Sequence, residues 1–105
     1  MRETQLLKGV LDGCVLHIIA QKEIYGYELV QELRDNGFSN IVGGTVYPLL
    51  QKLEKNSYIS GQMKPSPDGP DRKYFYLTKE GLAYLADFWI QWEDLVEKVG
   101  RLGGK

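Results

Sequence analysis

The sequence has only one cysteine, Cys14, and one histidine, His17. One cysteine cannot form an internal disulfide, and no Cys/His cluster has the spacing of metal ligands. The longest apolar run, residues 6–20, is interrupted by Lys8, Asp12 and His17, so we expect neither a membrane span nor a signal peptide. These absences favour a cytoplasmic protein that uses no metal and no cofactor.

The sequence also lacks the residues of an active site and an excess of either charge. It contains no nucleophile–base pair, carboxylate dyad or phosphate-binding loop, so an enzyme is not expected. The 105 residues carry 13 basic and 14 acidic side chains, a net charge of −1, which argues against a strong non-specific polyanion binder. Residues 43–79 alone carry six basic and three acidic side chains, so a positive segment is joined to an acidic remainder.

What the sequence does have is the apolar content of one small domain, with 43% hydrophobic residues. Helical periodicity predicts a first helix over residues 6–21, a second that ends at Asn36-Gly37, and a third with Thr45 and Pro48 in its first turn. The second helix presents Tyr27, Leu29, Val30 and Leu33 on its apolar face, and the third presents Val46, Leu49, Leu50 and Leu53.

Two segments typical of strands, residues 58–64 and 72–78, predict a β-hairpin. The intervening residues 65–71 include three prolines and a glycine. We expect this segment to be a long, stiff loop that forms neither helix nor strand.

The last helix begins after Thr78, which we expect to cap it. Its apolar residues recur at three- and four-residue spacing over nearly three heptads, and no further helix follows to cover them. The pattern therefore predicts contact with a second copy of the chain. The predicted dimer interface comprises Leu82, Leu85, Trp89, Trp92, Val96 and Val99.

Three helices, a hairpin and a final helix are the element order of a winged helix-turn-helix followed by a dimerisation helix. The predicted fold is mainly α with a small β-hairpin. We expect residues 1–78 to form the winged helix-turn-helix DNA-binding domain and residues 79–105 to form the dimerisation helix and tail.

Three motifs, in this order along the chain, resemble the PadR family of bacterial transcriptional regulators. Residues 25–29 resemble the start of the family's second helix, residues 44–59 its recognition helix, and residues 72–81 its wing and last helix. The resemblance covers about residues 5–100, and a single C-terminal helix is typical of the family's short subgroup. The chain departs from the family at Val42-Gly43, where a Ser-Pro-like pair is common, so the third helix lacks a capping serine.

The start of the third helix has residues that suit contact with DNA. Small or hydroxyl-bearing side chains leave the free backbone N–H groups and the helix dipole open to phosphate. Gly44, Thr45 and Tyr47 fit this description, and the resemblance assigns the last two to DNA contact. Thr45 also fits a plain N-cap, and the Tyr47 ring also fits packing against the second helix. Four cations complete the predicted DNA-binding set: Lys52 on the outer face of the third helix, and Lys64, Arg72 and Lys73 at the neck of the hairpin.

The tryptophans of the last helix fit two interpretations. Tryptophan buries a large area, so both residues suit a dimer core. Alternatively, the resemblance implies that flat hydrophobic effectors bind at the dimer centre, between the last helices and the first helix. The candidate effector-binding residues are then Trp92, Trp89, Phe88 and Cys14, although Cys14 equally suits a small core residue.

The function that these features favour is a homodimeric repressor that binds a pseudo-palindromic site in double-stranded DNA. A small hydrophobic or aromatic effector is expected to relieve the repression. The alternative is a winged-helix module that binds another protein through its tyrosine-rich wing and does not bind DNA.

Overall fold

The computed structural model describes residues 6–103, which form four helices and a three-stranded antiparallel sheet. The elements are α1 (Leu11–Gln21), β1 (Ile24–Tyr25), α2 (Gly26–Asp35), α3 (Gly43–Lys55), β2 (Ile59–Ser66), β3 (Gly69–Leu77) and α4 (Lys79–Leu102). Helices α2 and α3 form the helix-turn-helix, and β2 and β3 form the wing, so the predicted fold class is confirmed. The predicted domain limits also include residues 1–5 and 104–105, which lie outside the described residues.

The hairpin is longer and tighter than the prediction. Strand β2 continues through Pro65 to Ser66, and β3 begins at Gly69, where Ser66 is its cross-strand partner. The expectation of a long loop over residues 65–71 is therefore wrong. Strand β2 lies at the edge of the sheet, and Pro65 coincides with a register shift between Lys64 and Ser66. Edge strands and bulges tolerate proline because the missing N–H costs no ladder hydrogen bond there.

The sheet has a third strand that the sequence did not predict. The two-residue β1 pairs with β3, with Ile24 opposite Phe75 and Tyr25 opposite Tyr74. Two residues are too few to show a period-2 pattern, so the sequence carries no periodic signal for β1. The pairing joins the residues just before α2 to the central strand of the wing.

Helix α1 begins later than predicted. Leu6 and Leu7 are helical, but residues 8–10 form a turn, and the regular helix starts at Leu11. Glycine weakens a helix, and Gly9 lies within this turn. Gly13, within the regular helix, is closely packed, because a Cβ there would lie 2.4 Å from the ring of Phe88.

Helix α3 begins earlier than predicted, at Gly43, with Val42 as its N-cap residue. Thr45 is thus the third residue of the helix, and the interpretation of Thr45 as an N-cap is wrong. Val42 makes no side-chain capping hydrogen bond. Pro48 lies in the second turn, and its missing N–H leaves the Gly44 carbonyl without a helical donor.

One hydrophobic core lies between the helices and the inner face of the sheet. Its most deeply buried side chains are Val15, Leu16, Ile24, Leu29, Leu33, Val46, Leu53 and Ile59. Their positions follow the apolar stripes of α1, α2 and α3 and the inward face of β2. This core fixes one face of α3 against the rest of the molecule. The opposite face of α3 is in solvent.

Helix α4 begins where Thr78 Oγ1 accepts a hydrogen bond from the Gly81 N–H at 3.0 Å, so the predicted cap is confirmed. The helix then continues through Gly100 to Leu102. Leu85 is its one large side chain in the core, and nearly all residues beyond Trp89 are exposed. No described helix combines the length and the hydropathy needed to cross a membrane.

Candidate nucleic-acid interface

The N-terminal turn of α3 is open to solvent. Gly44 and Thr45 are exposed, and Thr45 N–H donates within the turn to the Val42 carbonyl at 3.0 Å. The first N–H groups of a helix have no helical acceptor and carry the positive end of its dipole. Because the Val42 side chain does not cap them, a phosphate oxygen can approach the N–H groups of Gly43 and Gly44.

Tyr47 packs against the start of α2, as one of its two interpretations predicted, and its contact with DNA stays a prediction. Its ring lies against two glycines: a Cβ would lie 2.3 Å from the ring at Gly26 and 2.7 Å from it at Gly43. The side chain packs on the start of α2, yet 47% of the residue remains exposed. The ring is thereby held in place while an exposed part of the residue faces solvent at the start of α3.

A groove runs between α3, the start of α2 and strand β3, with a volume of about 360 Å³. We call it the wing groove; it is lined by Tyr25, Gly26, Tyr27, Tyr47, Leu50, Gln51, Glu54, Arg72, Lys73 and Phe75. Its lining combines the buried Leu50 and Phe75 with three tyrosines and three charged residues. It brings together three of the predicted DNA-binding residues: Tyr47, Arg72 and Lys73.

Seven of the ten residues that line the wing groove lie outside the predicted set, and three of these have side-chain hydrogen-bond donors: Tyr25, Tyr27 and Gln51. Helical periodicity assigned Tyr27 to the apolar face of α2, but 59% of it is exposed. For Gln51 the signal was present, because a helix places the residue four positions after Tyr47 on the same side. The position of Tyr25 depends on β1, which the sequence did not predict.

Arg72 is held at the wing groove by aromatic rings. Its guanidinium carbon lies 4.5 Å from the centroid of the Tyr25 ring, a cation–π arrangement. Tyr25 in turn contacts Tyr74 at 5.3 Å and stacks near Tyr27 at 6.4 Å between ring centroids. Within residues 6–103 no carboxylate lies within ion-pair distance of Arg72, so its donors are available to an anion.

The three predicted DNA-binding lysines are each paired with a carboxylate. Lys52 Nζ lies 3.0 Å from Asp12, Lys64 Nζ lies 2.7 Å from Glu23, and Lys73 Nζ lies 2.7 Å from Glu54. Lys55, also on α3, is exposed and has no such partner in the described part of the chain. Ion pairs therefore engage three of the six cations in the positive segment, residues 43–79.

The structure places the four candidate effector residues in different locations. Cys14 and Trp89 line a second groove of about 490 Å³ between α1, α2 and α4, together with His17, Leu33 and Phe38. Phe88 packs on Gly13, and Trp92 lies farther along α4 and is 37% exposed. Burial raises the pKa of the Cys14 thiol, which keeps it protonated at neutral pH.

The predicted dimer residues also occupy different surroundings. Leu85 is only 6% exposed because it packs into the core of its own chain, which leaves little of it for a partner. Trp89 is half-buried beside His17 and Phe88. The other four members of the set are exposed: Leu82, Trp92, Val96 and Val99.

Comparison with known proteins identifies the family. The model of the Transcriptional regulator PadR-like family matches residues 15–87. A crystal structure of a Streptococcus transcriptional regulator is 67% identical, with a TM-score of 0.87, and the alignment covers 96% of this chain and 99% of that chain. Transcriptional regulator Rv3488 of Mycobacterium tuberculosis is 33% identical over 105 residues, which cover 100% of this chain and 92% of the relative.

A more distant solved structure is Bacillus subtilis PadR in complex with operator DNA. It has a TM-score of 0.71 at 23% identity and covers 77% of this chain and 46% of that chain, which indicates a shared fold. The family match and the relatives agree with the three sequence motifs and with the winged helix-turn-helix. This chain belongs to the PadR-like family of transcriptional regulators.

Proposed function

We propose that this protein regulates transcription by binding double-stranded DNA through α3 and the wing groove. The observation that carries the proposal is the open start of α3 with Arg72 across the wing groove. A helix N-terminus and a guanidinium are both good phosphate partners. In this arrangement a DNA backbone passes along the wing groove while α3 enters the major groove.

The outward face of α3 supports this arrangement. Gly44, Pro48, Gln51 and Lys55 follow at helical spacing, and all four are exposed. Small side chains near the start of α3 allow close approach to the bases, and the Gln51 amide suits hydrogen bonding to an adenine edge. Thr45 and Tyr47 add hydroxyl groups for phosphate contact.

We propose further that the protein acts as a homodimer joined through α4. Five exposed apolar side chains lie on one side of α4: Leu82, Trp92, Leu95, Val96 and Val99. Monomeric soluble proteins seldom leave so continuous an apolar surface in water. Two-fold pairing of α4 presents two α3 helices to one duplex, which fits a pseudo-palindromic operator.

The effector hypothesis also belongs to this proposal. We infer that a flat hydrophobic molecule binds at the dimer centre near Trp92 and relieves repression. Support comes from the exposed indole of Trp92 and from Cys14 and Ile18 of α1, which line the same groove as Trp89. Bound there, an effector separates the two α3 helices from the spacing that the operator requires.

A fluorescence polarisation titration tests DNA binding, using a duplex from the region upstream of the gene and a random duplex of equal length. We expect tighter binding to the upstream duplex and weaker binding to both as salt rises. The double variant Thr45→Ala/Tyr47→Phe removes two hydroxyl groups and keeps the Tyr47 ring against Gly26. It should weaken binding roughly hundredfold, because each hydrogen bond to a charged group is worth about 1.5 kcal/mol.

The matched control is Ser60→Ala/Tyr76→Phe, which removes two hydroxyl groups from the outer face of the wing. These residues are paired across β2 and β3 on the face opposite the buried Ile59 and Phe75. The control should bind DNA as the unmodified protein does. If no duplex binds in a salt-sensitive way, the DNA-binding proposal is wrong and the protein-binding alternative is favoured.

A further inference from the structure

Two wing lysines, Lys64 and Lys73, are directed towards the body of the protein. Lys64 reaches Glu23 in the connection between α1 and β1, and Lys73 reaches Glu54 on α3. Both pairs have an N–O distance of 2.7 Å, which is within the range of charge-assisted hydrogen bonds. The partners are 41 and 19 residues apart in sequence, so tertiary structure brings each pair together.

The pair between Lys73 and Glu54 depends on the glycine at position 61. A Cβ on Gly61 would lie 2.2 Å from Lys73 Cε and 3.0 Å from Glu54 Oε2. The lysine stem therefore crosses the backbone of β2 where a side chain would block it, and its ammonium group ends at α3. The side chains in each pair are partly exposed: 38% and 42% for Lys64 and Glu23, and 45% and 34% for Lys73 and Glu54. Phosphate can compete for both lysines.

We propose that Glu23 and Glu54 are specificity-determining residues that restrain Lys64 and Lys73 from binding the phosphates of arbitrary DNA. This inference rests on the proposed DNA-binding function. A carboxylate and a phosphate compete for the same ammonium group, so a lysine paired within the protein releases no counterion from the duplex. Of the three wing cations, Arg72 alone has no carboxylate partner among the described residues. The wing thus contributes little charge to non-specific binding. Contacts made by α3 contribute more of the binding free energy than contacts made by the wing.

The test is the affinity for a random duplex, measured by fluorescence polarisation between 50 and 200 mM salt. Glu54→Gln and Glu23→Gln each free one lysine. Each should tighten binding roughly fivefold at 0.1 M salt and steepen the slope of log K against log salt by about 0.9, the contribution of one phosphate. Binding to the upstream duplex should tighten less, because α3 already contributes specific contacts there. The preference for the upstream duplex should therefore fall.

Two further variants separate release of a lysine from a change of net charge. Asp71→Asn adds the same charge to the wing without freeing a lysine, because Asp71 is exposed and has no cation partner among the described residues. It should leave the salt slope unchanged. Gly61→Ala changes no charge but displaces Lys73 from Glu54, so its salt slope should steepen as in Glu54→Gln. The double variant Glu54→Gln/Lys73→Gln should return to the original slope.

The outcomes are distinct. If Glu54→Gln and Glu23→Gln change the salt slope no more than Asp71→Asn does, the two glutamates do not restrain the lysines and the inference is wrong. The inference is also overturned if Lys73→Gln alone lowers the slope by about 0.9, since that lysine then contacts phosphate in the unmodified protein. In both cases the unmodified protein still prefers its upstream duplex, so the proposed function stands. If neither the unmodified protein nor any variant binds a duplex, the proposed function and this inference fail together.

Discussion

The two halves of α4 carry the same kind of apolar stripe but differ in what covers it. In the first half, Gly81 and Leu85 are buried against the body of the protein. In the second half, residues 90–102, Trp92, Val96 and Val99 are exposed. The same apolar stripe of α4 thus packs into the core of its own chain in the first half of the helix and is exposed to solvent in the second half. The spacing of apolar residues predicts that a helix face will be covered, but it does not identify the surface that covers it.

The largest expected effect comes from the same substitution in both halves of α4. A Cβ on Gly81 would lie 1.9 Å from the Tyr58 carbonyl oxygen, whereas a Cβ on Gly100 has no neighbour within 4 Å. Gly81→Ala should lower the free energy of unfolding by about 3 kcal/mol, because backbone must move. Gly100→Ala should raise it by roughly 0.5 kcal/mol through helix propensity. Urea denaturation measures both, and similar effects would show that the two halves are equally packed.

A smaller effect is expected from a charge placed on the exposed stripe. Val96→Asp should weaken the proposed dimer about hundredfold, because the carboxylate is desolvated without a partner. Gln91→Asp introduces the same charge on a different side of the helix and should leave the dimer intact. Sedimentation velocity at several concentrations compares the two variants. A dimer that survives Val96→Asp would exclude this stripe as its interface.

The smallest effect is the loss of stability when a threonine hydroxyl is removed at the start of α4 or of α3. Thr78 caps α4 and also donates from Oγ1 to the Ser57 carbonyl at 2.6 Å, whereas Thr45 makes no capping bond in α3. Thr78→Ala should cost about 1 kcal/mol of stability, and Thr45→Ala should cost less than about 0.5 kcal/mol. Thermal unfolding gives both values. A large loss at Thr45 would mean that its hydroxyl stabilises the fold and that the start of α3 is less open than described.

Much of the fold could be predicted from local patterns. The apolar stripes of α2 and α3, the hairpin and the capped start of α4 all follow from patterns of residues that are close together in the sequence. The errors have local causes as well. Three prolines near the hairpin tip indicated a loop, but an edge strand with a bulge accommodates Pro65. The two residues of β1 carry no periodic signal.

The candidate site was predictable in composition but not in its electrostatics. Gly44, Thr45 and Tyr47 were identified from their position at the start of a helix. The ion pairs that hold Lys52 and Lys64 join residues 40 and 41 positions apart, and no spacing rule indicates them. A count of cations therefore overestimated the positive charge that this surface offers to a phosphate backbone.

The attachment of α4 to the wing has a mechanical consequence. Thr78 N–H donates to the Tyr58 carbonyl at 3.1 Å, and the same carbonyl lies against Gly81, so the helix meets the wing without room to pivot. The 24 residues of α4 span about 36 Å at 1.5 Å per residue. A rod of that length, tilted by about 10°, moves its far end by roughly 6 Å. In the proposed dimer, so stiff a joint means that the crossing angle of the two α4 helices sets the distance between the two α3 helices, and a small molecule inserted between the α4 helices is enough to change that distance.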